Sequence, residues 1–425
     1  MKILFYVDHK YRDLPSLSKI GFFLRKKNFK VYYSPLWNWE HSLDKDIIVL
    51  PKPIFMDAYL KHNWNNKIII IIETEGCNQD IKFKRHILMP VDLYTFWSHH
   101  EKKKYSNNIN IHQSKVCGFH RSDFLKTDNY SKKNSIENIL KELKINNLGK
   151  KKIVTIATST HDAHLTWTKI KKIHKRRKKT FAYTLDYLLH VKNIKENLKK
   201  TVYYLKKINQ ANLDNLIFVL KAHPNENVIF WEKFFKKLNV NFYFVKDFLI
   251  NDLLNISDLH ISHSGCTTTI EAKLKGISAV EIQTKLSKKL IHKDFLDLPD
   301  YKIKNFKNLE KILLALNNKN KLKKKSVNQS FIKKYFYKID YNRCEDYAKT
   351  INEFVNKNKN KNKNKIKIKN STLSLVKSKI IIFLKFFYFL YKSKFSTLDN
   401  RGRYNNRIGY FDHLRWYKIF KKLPK

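Results

Sequence analysis

The sequence predicts a two-domain α/β architecture, each domain a doubly wound parallel sheet covered by helices. Three features carry this expectation. Apolar runs without alternation mark strands buried on both faces, segments of helical period fall between them, and the whole series starts again near residue 151. Strand, helix, strand, repeated, is the pattern of parallel sheets with crossover helices. A chain of 425 residues with 43% hydrophobic content has enough apolar material for two cores.

The first strand is Lys2–Val7 (KILFYV), followed by the polar stretch Asp8–Asp13. Leu17, Ile20, Phe23 and Leu24 then recur near helical spacing between Leu14 and Lys27. Strands are expected at Lys30–Tyr33 and Asp46–Leu50, the second stopped by Pro51 and Pro53. The run Ile68–Ile72 ends at Glu73–Thr74–Glu75–Gly76. From about Leu125 to Lys150 the chain is rich in Lys and Asn, and the inter-domain segment is placed there. The second series opens with Ile153–Ala157, a Thr/Ser-rich loop and a long basic helical region. Leu216–Leu220 follows, ending in Lys221–Ala222–His223–Pro224, and then the short Phe242–Val245. Leu259–Ser262 leads through a small-residue loop into the helix Ile270–Lys275 and the last strand Ala279–Ile282.

This divides the chain into a domain over 1–150, a second over 151–355, a linker over 356–370 and a basic aromatic tail over 371–425. Asn and Lys alternate strictly from Asn356 to Lys365, and with neither partner apolar a solvated linker is expected rather than a strand. In the tail, Ile380–Leu384 and Phe386–Tyr391 fall short of the roughly 20 apolar residues of a bilayer span. Flanked by Lys377, Lys379, Lys392 and Lys394, they suit the interface of an anionic membrane. A helix packed back onto the core fits the same residues.

The formal charge of +51 first raises nucleic acid as a partner. Lys far outnumbers Arg, however, and Asn, Ile, Tyr and Phe are abundant too. Such bias spreads charge over every solvated face instead of building the Arg forks that read phosphates and bases. An anionic membrane surface or a polyanionic substrate is the better expectation, with a non-catalytic polyanion-binding or nucleic-acid-binding protein as the alternative of another class. Cys77, Cys117, Cys266 and Cys344 show neither paired nor metal-ligand spacing. That fits a reducing cytoplasm, as does an opening MKILFYVDHK without the apolar region of a signal peptide. His161, Asp162, His164 and His174 do not share a ligand face, and no metal is expected. The run Lys169–Lys179 (KIKKIHKRRKK) suits a polyanion or a plain solvated helix face equally.

The strongest chemical signal is His263–Glu271. A strand ends, a hydroxyl-rich loop with one glycine follows, and a helix begins; amides at such a helix start suit a phosphate. Ser264, Thr267, Thr268 and Thr269 offer hydroxyl donors, Gly265 allows close approach, and Glu271 could accept from a ribose. An ordinary capped helix fits these residues as well. Lys221 and His223 stand at the C-terminal end of a strand, where open α/β sheets bind ligands; a loop histidine without a role is the alternative.

KAHPNENVIFW (221–231) and ISDLHISHSGCTTTIEAKLKGISAVEI (256–282), with DHKYRDLPSL, IETEG and GFHRSD in the first half, resemble bacterial surface-carbohydrate biosynthesis proteins of the capsule and lipopolysaccharide type. These are similar to the GT-B nucleotide-sugar transferases and epimerases, and more distantly to the glycerophosphotransferases of teichoic acid synthesis. The resemblance covers roughly residues 1–285. It implies a GT-B-like fold and a glycosyltransferase using a nucleotide-activated sugar, with a saccharide or lipid-linked acceptor and no obligatory cofactor. His223 and the Ser264–Thr269 loop would contact the donor's phosphates and Glu271 its ribose. Glu73 or Glu75 would be the base on the acceptor side, with Arg12, Asp13, Arg121 and Asp123 shaping the cleft or forming structural ion pairs. Where GT-B transferases often carry a second glutamate, this chain has Ala279, with Glu281 nearby. The same fold would also serve a sugar-nucleotide epimerase or a polyol-phosphate transferase. A cytoplasmic enzyme, peripheral at the inner face of the membrane, is the resulting expectation.

Overall fold

The structure is a computed structural model. It describes residues 1–358 except Trp37, Phe55, 75–80, 84–88, 106–110, 126–136, 138, 144, 146–148, 184–186, 224, 225, 227, 239, 240, 246 and 247. Glu75, Pro224, Cys77, most of the linker and the whole tail lie outside the described residues.

Two six-stranded parallel sheets organise the molecule. The first contains β1 (Lys2–Val7), β2 (Lys30–Pro35), β3 (Ile47–Leu50) and β4 (Ile68–Ile72). A short β5 (Ile81–Phe83) leaves it before β6 (Val91–Phe96) and β7 (Ile111–Val116), and the sheet order is β2-β1-β3-β4-β6-β7. The second contains β8 (Lys152–Ala157), then, after β9 (Phe181–Tyr183), β10 (Leu216–Lys221), β11 (Phe242–Val245), β12 (Leu259–His263), β13 (Ser278–Ile282) and β14 (Tyr301–Ile303). Its order is β11-β10-β8-β12-β13-β14. β5 and β9 pair with each other, antiparallel, and so tie the two halves together.

The unbroken apolar runs are explained by burial on both faces. Ile3, Phe5 and Val7 pack under the helix Leu14–Arg25 through Leu14, Leu17, Ile20 and Leu24. Leu4 and Tyr6 point the other way, to Ile48, Ile69, Ile71 and Trp64. In the second sheet Val154, Phe218 and Ile261 face one layer, while Ile153, Ile217 and Val219 face the other. β5, β6, β7, β9 and β14 go beyond the strands read from sequence. β7 (IHQSKV) is an edge strand with half of its residues exposed, so its side chains are mostly polar and the apolar signal is absent.

Residues 343–355, assigned from sequence to the second domain, cross back to the first. The helix Arg343–Lys357 lays Cys344, Tyr347, Ala348, Ile351, Phe354 and Val355 into the core formed by β1, β3 and β4. The crossing is close. Gly118 sits at φ +90°, and a Cβ there would stand 2.7 Å from Arg343 Cδ. An apolar cluster of Trp97, Phe119, Leu125, Ile270, Phe295, Tyr335 and Phe336 joins the domains along this side. No helix of the described residues is long and apolar enough to cross a membrane.

Candidate active site between the two domains

Ligands of open α/β sheets bind beyond the C-terminal strand ends, where the strand order reverses. In the first sheet that reversal separates β1 from β3, and in the second β8 from β12. The loops leaving β1, β8 and β12 are Asp8–Asp13, Thr158–His161 and Ser264–Cys266. They carry Arg12, Asp13 and Ser264; of the other residues singled out in the sequence, Glu73 follows β4, His223 follows β10 and Glu271 lies in the helix after β12.

On the first domain's side, Arg12 forks onto Asp13, with Nε to Oδ1 at 2.7 Å and Nη2 to Oδ2 at 3.0 Å, and reaches Asp8 at 3.3 Å. Burial opposes the charge, but Asp13 and Asp8 outweigh it and raise the pKa of Arg12. Asp13 is fully buried and accepts the His9 amide, so this pair is structural and holds Arg12 in place. Glu73 follows β4; Tyr94 donates a short hydrogen bond to its carboxylate. Burial raises its pKa, against the pull of Tyr94, Lys52 and Arg12. The Glu73 carbonyl accepts from Trp97 Nε1 at 2.7 Å and lies 3.1 Å from His120 Nε2, whose Nδ1 meets Ser16 Oγ at 2.8 Å. Burial, then Arg121, lowers His120 to about 3, so the ring is neutral. Asp123 is not part of the cleft. It is buried, pairs with Lys19 at 3.0 Å and accepts the amides of Arg343 and Cys344 at 2.7 and 3.0 Å.

On the second domain's side, His223 is partly exposed, with its ring 5.2 Å from that of His161. Burial, then His161, Arg12 and Lys221, pushes its pKa well below the usual histidine value. Its loop is fixed by Glu226, which accepts from Thr158 Oγ1 at 2.5 Å, from Trp231 Nε1 at 2.7 Å and from the Thr160 amide. Lys221 Nζ stands 6.0 Å from the Tyr11 ring of the opposite domain. Among the described residues no group of three His, Cys, Asp or Glu side chains is placed to hold a metal ion.

The helix Thr267–Leu274 begins after Cys266 and no side chain caps it. Gly265 has φ +76°, the left-handed conformation that glycine permits. Two of the expected donor hydroxyls turn inward. Thr268 bonds His260 Nε2 at 2.9 Å, and Thr269 bonds Ser262 at 2.6 Å and Glu281 at 2.8 Å. Small hydroxyl residues at a helix start satisfy buried neighbours as readily as a ligand. Ser264 and Thr267 remain partly exposed. Glu271 is also buried rather than open to solvent. It pairs across the cleft with Arg121, Nη1 to Oε1 at 3.4 Å. Burial raises the pKa of Glu271, offset in part by Arg121, Lys275 and Arg12.

Sequence reading missed His120, Tyr94 and Trp97 around Glu73, and Glu226 beneath His223. Glu226 and His120 lie inside the stretches KAHPNENVIFW and GFHRSD, while Tyr94 and Trp97 had no local signal. The electrostatic reach of Arg12 includes Glu73, His120, His223 and Glu271, so one cation lies among the polar groups of both domains.

Among solved structures, the wall teichoic acid polymerase TagF, in a variant soaked with CDPG, is similar at a TM-score of 0.51 with 12% identity, over 84% of this chain and 89% of that one. A second TagF variant matches with the same figures. The S. aureus MnaA–UDP co-structure gives a TM-score of 0.46 with 12% identity, over 84% and 97%. No protein-family model and no curated protein matches the chain. Two parallel six-stranded sheets set side by side are the GT-B fold, and this chain has it.

Proposed function

We propose that the protein transfers a sugar or sugar-like group from a nucleotide-activated donor, held by the second domain, to an acceptor hydroxyl presented by the first, in the building of a surface polysaccharide. The observation that carries this reading is that Arg12, in the loop leaving β1 where the first sheet's strand order reverses, acts electrostatically on Glu73 of its own domain and on His223 and Glu271 of the other. The uncapped start of Thr267–Leu274 and the imidazole of His223 would take the charge that develops on the departing nucleotide, with no obligatory metal. Glu73, its pKa raised, is suited to removing the acceptor's proton. Closing the domains would keep water from the donor.

A polyol-phosphate donor is the second reading, because TagF soaked with CDPG shares the fold at the higher TM-score. The products separate the two, since polyol-phosphate transfer releases a nucleoside monophosphate and sugar transfer from a diphosphate donor releases a diphosphate. An epimerase would need no acceptor. Residues 371–425 are proposed to hold the enzyme at an anionic membrane surface near a lipid-linked acceptor.

The test is calorimetry of UDP, GDP, CDP, ADP and CMP on the intact chain and on His223→Ala. The expected result is saturable binding of one nucleotide, weakened at least tenfold in the variant, the size of a lost hydrogen bond to a charged group. Absence of binding, or binding indifferent to His223, would move a non-catalytic polyanion-binding protein to the front.

A further inference from the structure

Arg121 stands in the short 3-10 turn His120–Phe124 with 6% of its surface exposed. Its guanidinium lies against two aromatic faces, 5.0 Å from the Phe119 centroid and 5.7 Å from that of Trp97. Nη1 meets Glu271 across the cleft. Nε and Nη2 are buried and have no hydrogen-bond partner among the described residues, and the same holds for Oε2 of Glu271. A guanidinium offers five donors in a rigid fork, and a buried donor left unfilled costs more than an ordinary hydrogen bond returns. The unfilled pair matters chemically. Nε and Nη2 form one edge of the guanidinium, the edge that binds two oxygens of a phosphate side by side.

We propose that Arg121 is an anion-binding residue contributed by the acceptor-side domain, and that its free Nε–Nη2 edge takes two phosphate oxygens of the donor nucleotide. Glu271 is its partner until the donor arrives, and donor binding exchanges partners. The phosphate then neutralises Arg121, while the released Glu271 carboxylate accepts from a donor hydroxyl. Because the two residues belong to different domains, the exchange makes the first domain part of the donor site and couples phosphate recognition to closure. Trp97 and Phe119 hold the guanidinium plane in place, so little side-chain freedom is lost when the anion binds. The inference rests on the donor reading given above.

The experiment is calorimetry on the full chain with the nucleoside diphosphate that binds the wild type, its nucleoside, and inorganic pyrophosphate. Arg121→Met is expected to lose about ten- to a hundred-fold in affinity for the diphosphate and for pyrophosphate, with the nucleoside unchanged. Arg121→Lys, which keeps the charge but not the fork, falls between. Glu271→Gln frees Arg121, so pyrophosphate affinity rises while nucleoside affinity falls. Where Arg121→Met does not melt as a folded protein, Arg121→Lys decides, and wild-type diphosphate affinity in it overturns the proposal. Equal losses for nucleoside and diphosphate mean a merely structural pair, and overturn it too. A wild type that binds diphosphate alongside an indifferent Arg121→Met overturns this inference and leaves the donor reading standing. A wild type that binds no nucleotide overturns both.

Discussion

His260 and His263 lie in β12 with their pKa values pushed by burial to about 3 and about 4, so both are neutral in the fold. Their unfolded values are near 6.5, and their contribution to stability is therefore complete above that pH and is lost as pH falls towards 4. Glu281 and Glu101 behave in the opposite sense. Burial raises each to about 8, so their contribution is lost as pH rises from the ordinary carboxylate range through 8. Between pH 6.5 and 8 these histidines are neutral in both states, and each of the two glutamates contributes a slope of about 1.4 kcal/mol per pH unit. Glu281→Gln is expected to lower the slope of that loss by about 1.4 kcal/mol per pH unit, measured by urea unfolding at several pH values. An unchanged slope would mean that Glu281 is ionised in the fold. Glu281 also shows the limit of reading residues from sequence. A strand glutamate signals nothing by itself, and only the fold brings it under Thr269.

At the scale of elements, the start of the helix Arg343–Lys357 is capped from outside. No side chain of its own does so, and Asp123 accepts its first two amides while paired with Lys19. Asp123→Ala removes the cap and leaves Lys19 without this carboxylate, so a loss of about 2–4 kcal/mol is expected in urea unfolding. A change below about 0.5 kcal/mol would mean that water replaces the carboxylate. The strands buried on both faces, β1, β4, β8 and β10, were legible because their apolar runs have no polar alternation. The crossing helix was not. Cys344, Tyr347, Ala348 and Ile351 recur at helical spacing, but nothing local says which domain they cover. The loop after β12 was likewise legible as a strand–loop–helix, whereas the inward turn of Thr268 and Thr269 depends on His260, Ser262 and Glu281, residues of the adjoining strands β12 and β13.

At the scale of the whole molecule, the cleft is bordered by three ties: the apolar cluster around Phe336, the β5–β9 pair and the Arg121–Glu271 contact. The returning helix belongs structurally to the first domain, and shortened chains should show it. A chain ending at 358 is expected to melt as the intact protein does. One ending at 342 uncovers the face of β1, β3 and β4 that Tyr347, Ile351 and Val355 fill, and is expected to aggregate or to lose its cooperative transition. Equal melting of the two would make the helix an appendage. The return path also orders events during synthesis. Residues 1–125 leave the ribosome first, yet their sheet stays open on one side until residue 355 has emerged, by which time the whole second domain is available to fold. The domain made first is thus finished last. The first domain closes only when the second is already in place, and the first cannot be inherited or exchanged as a single uninterrupted stretch of gene.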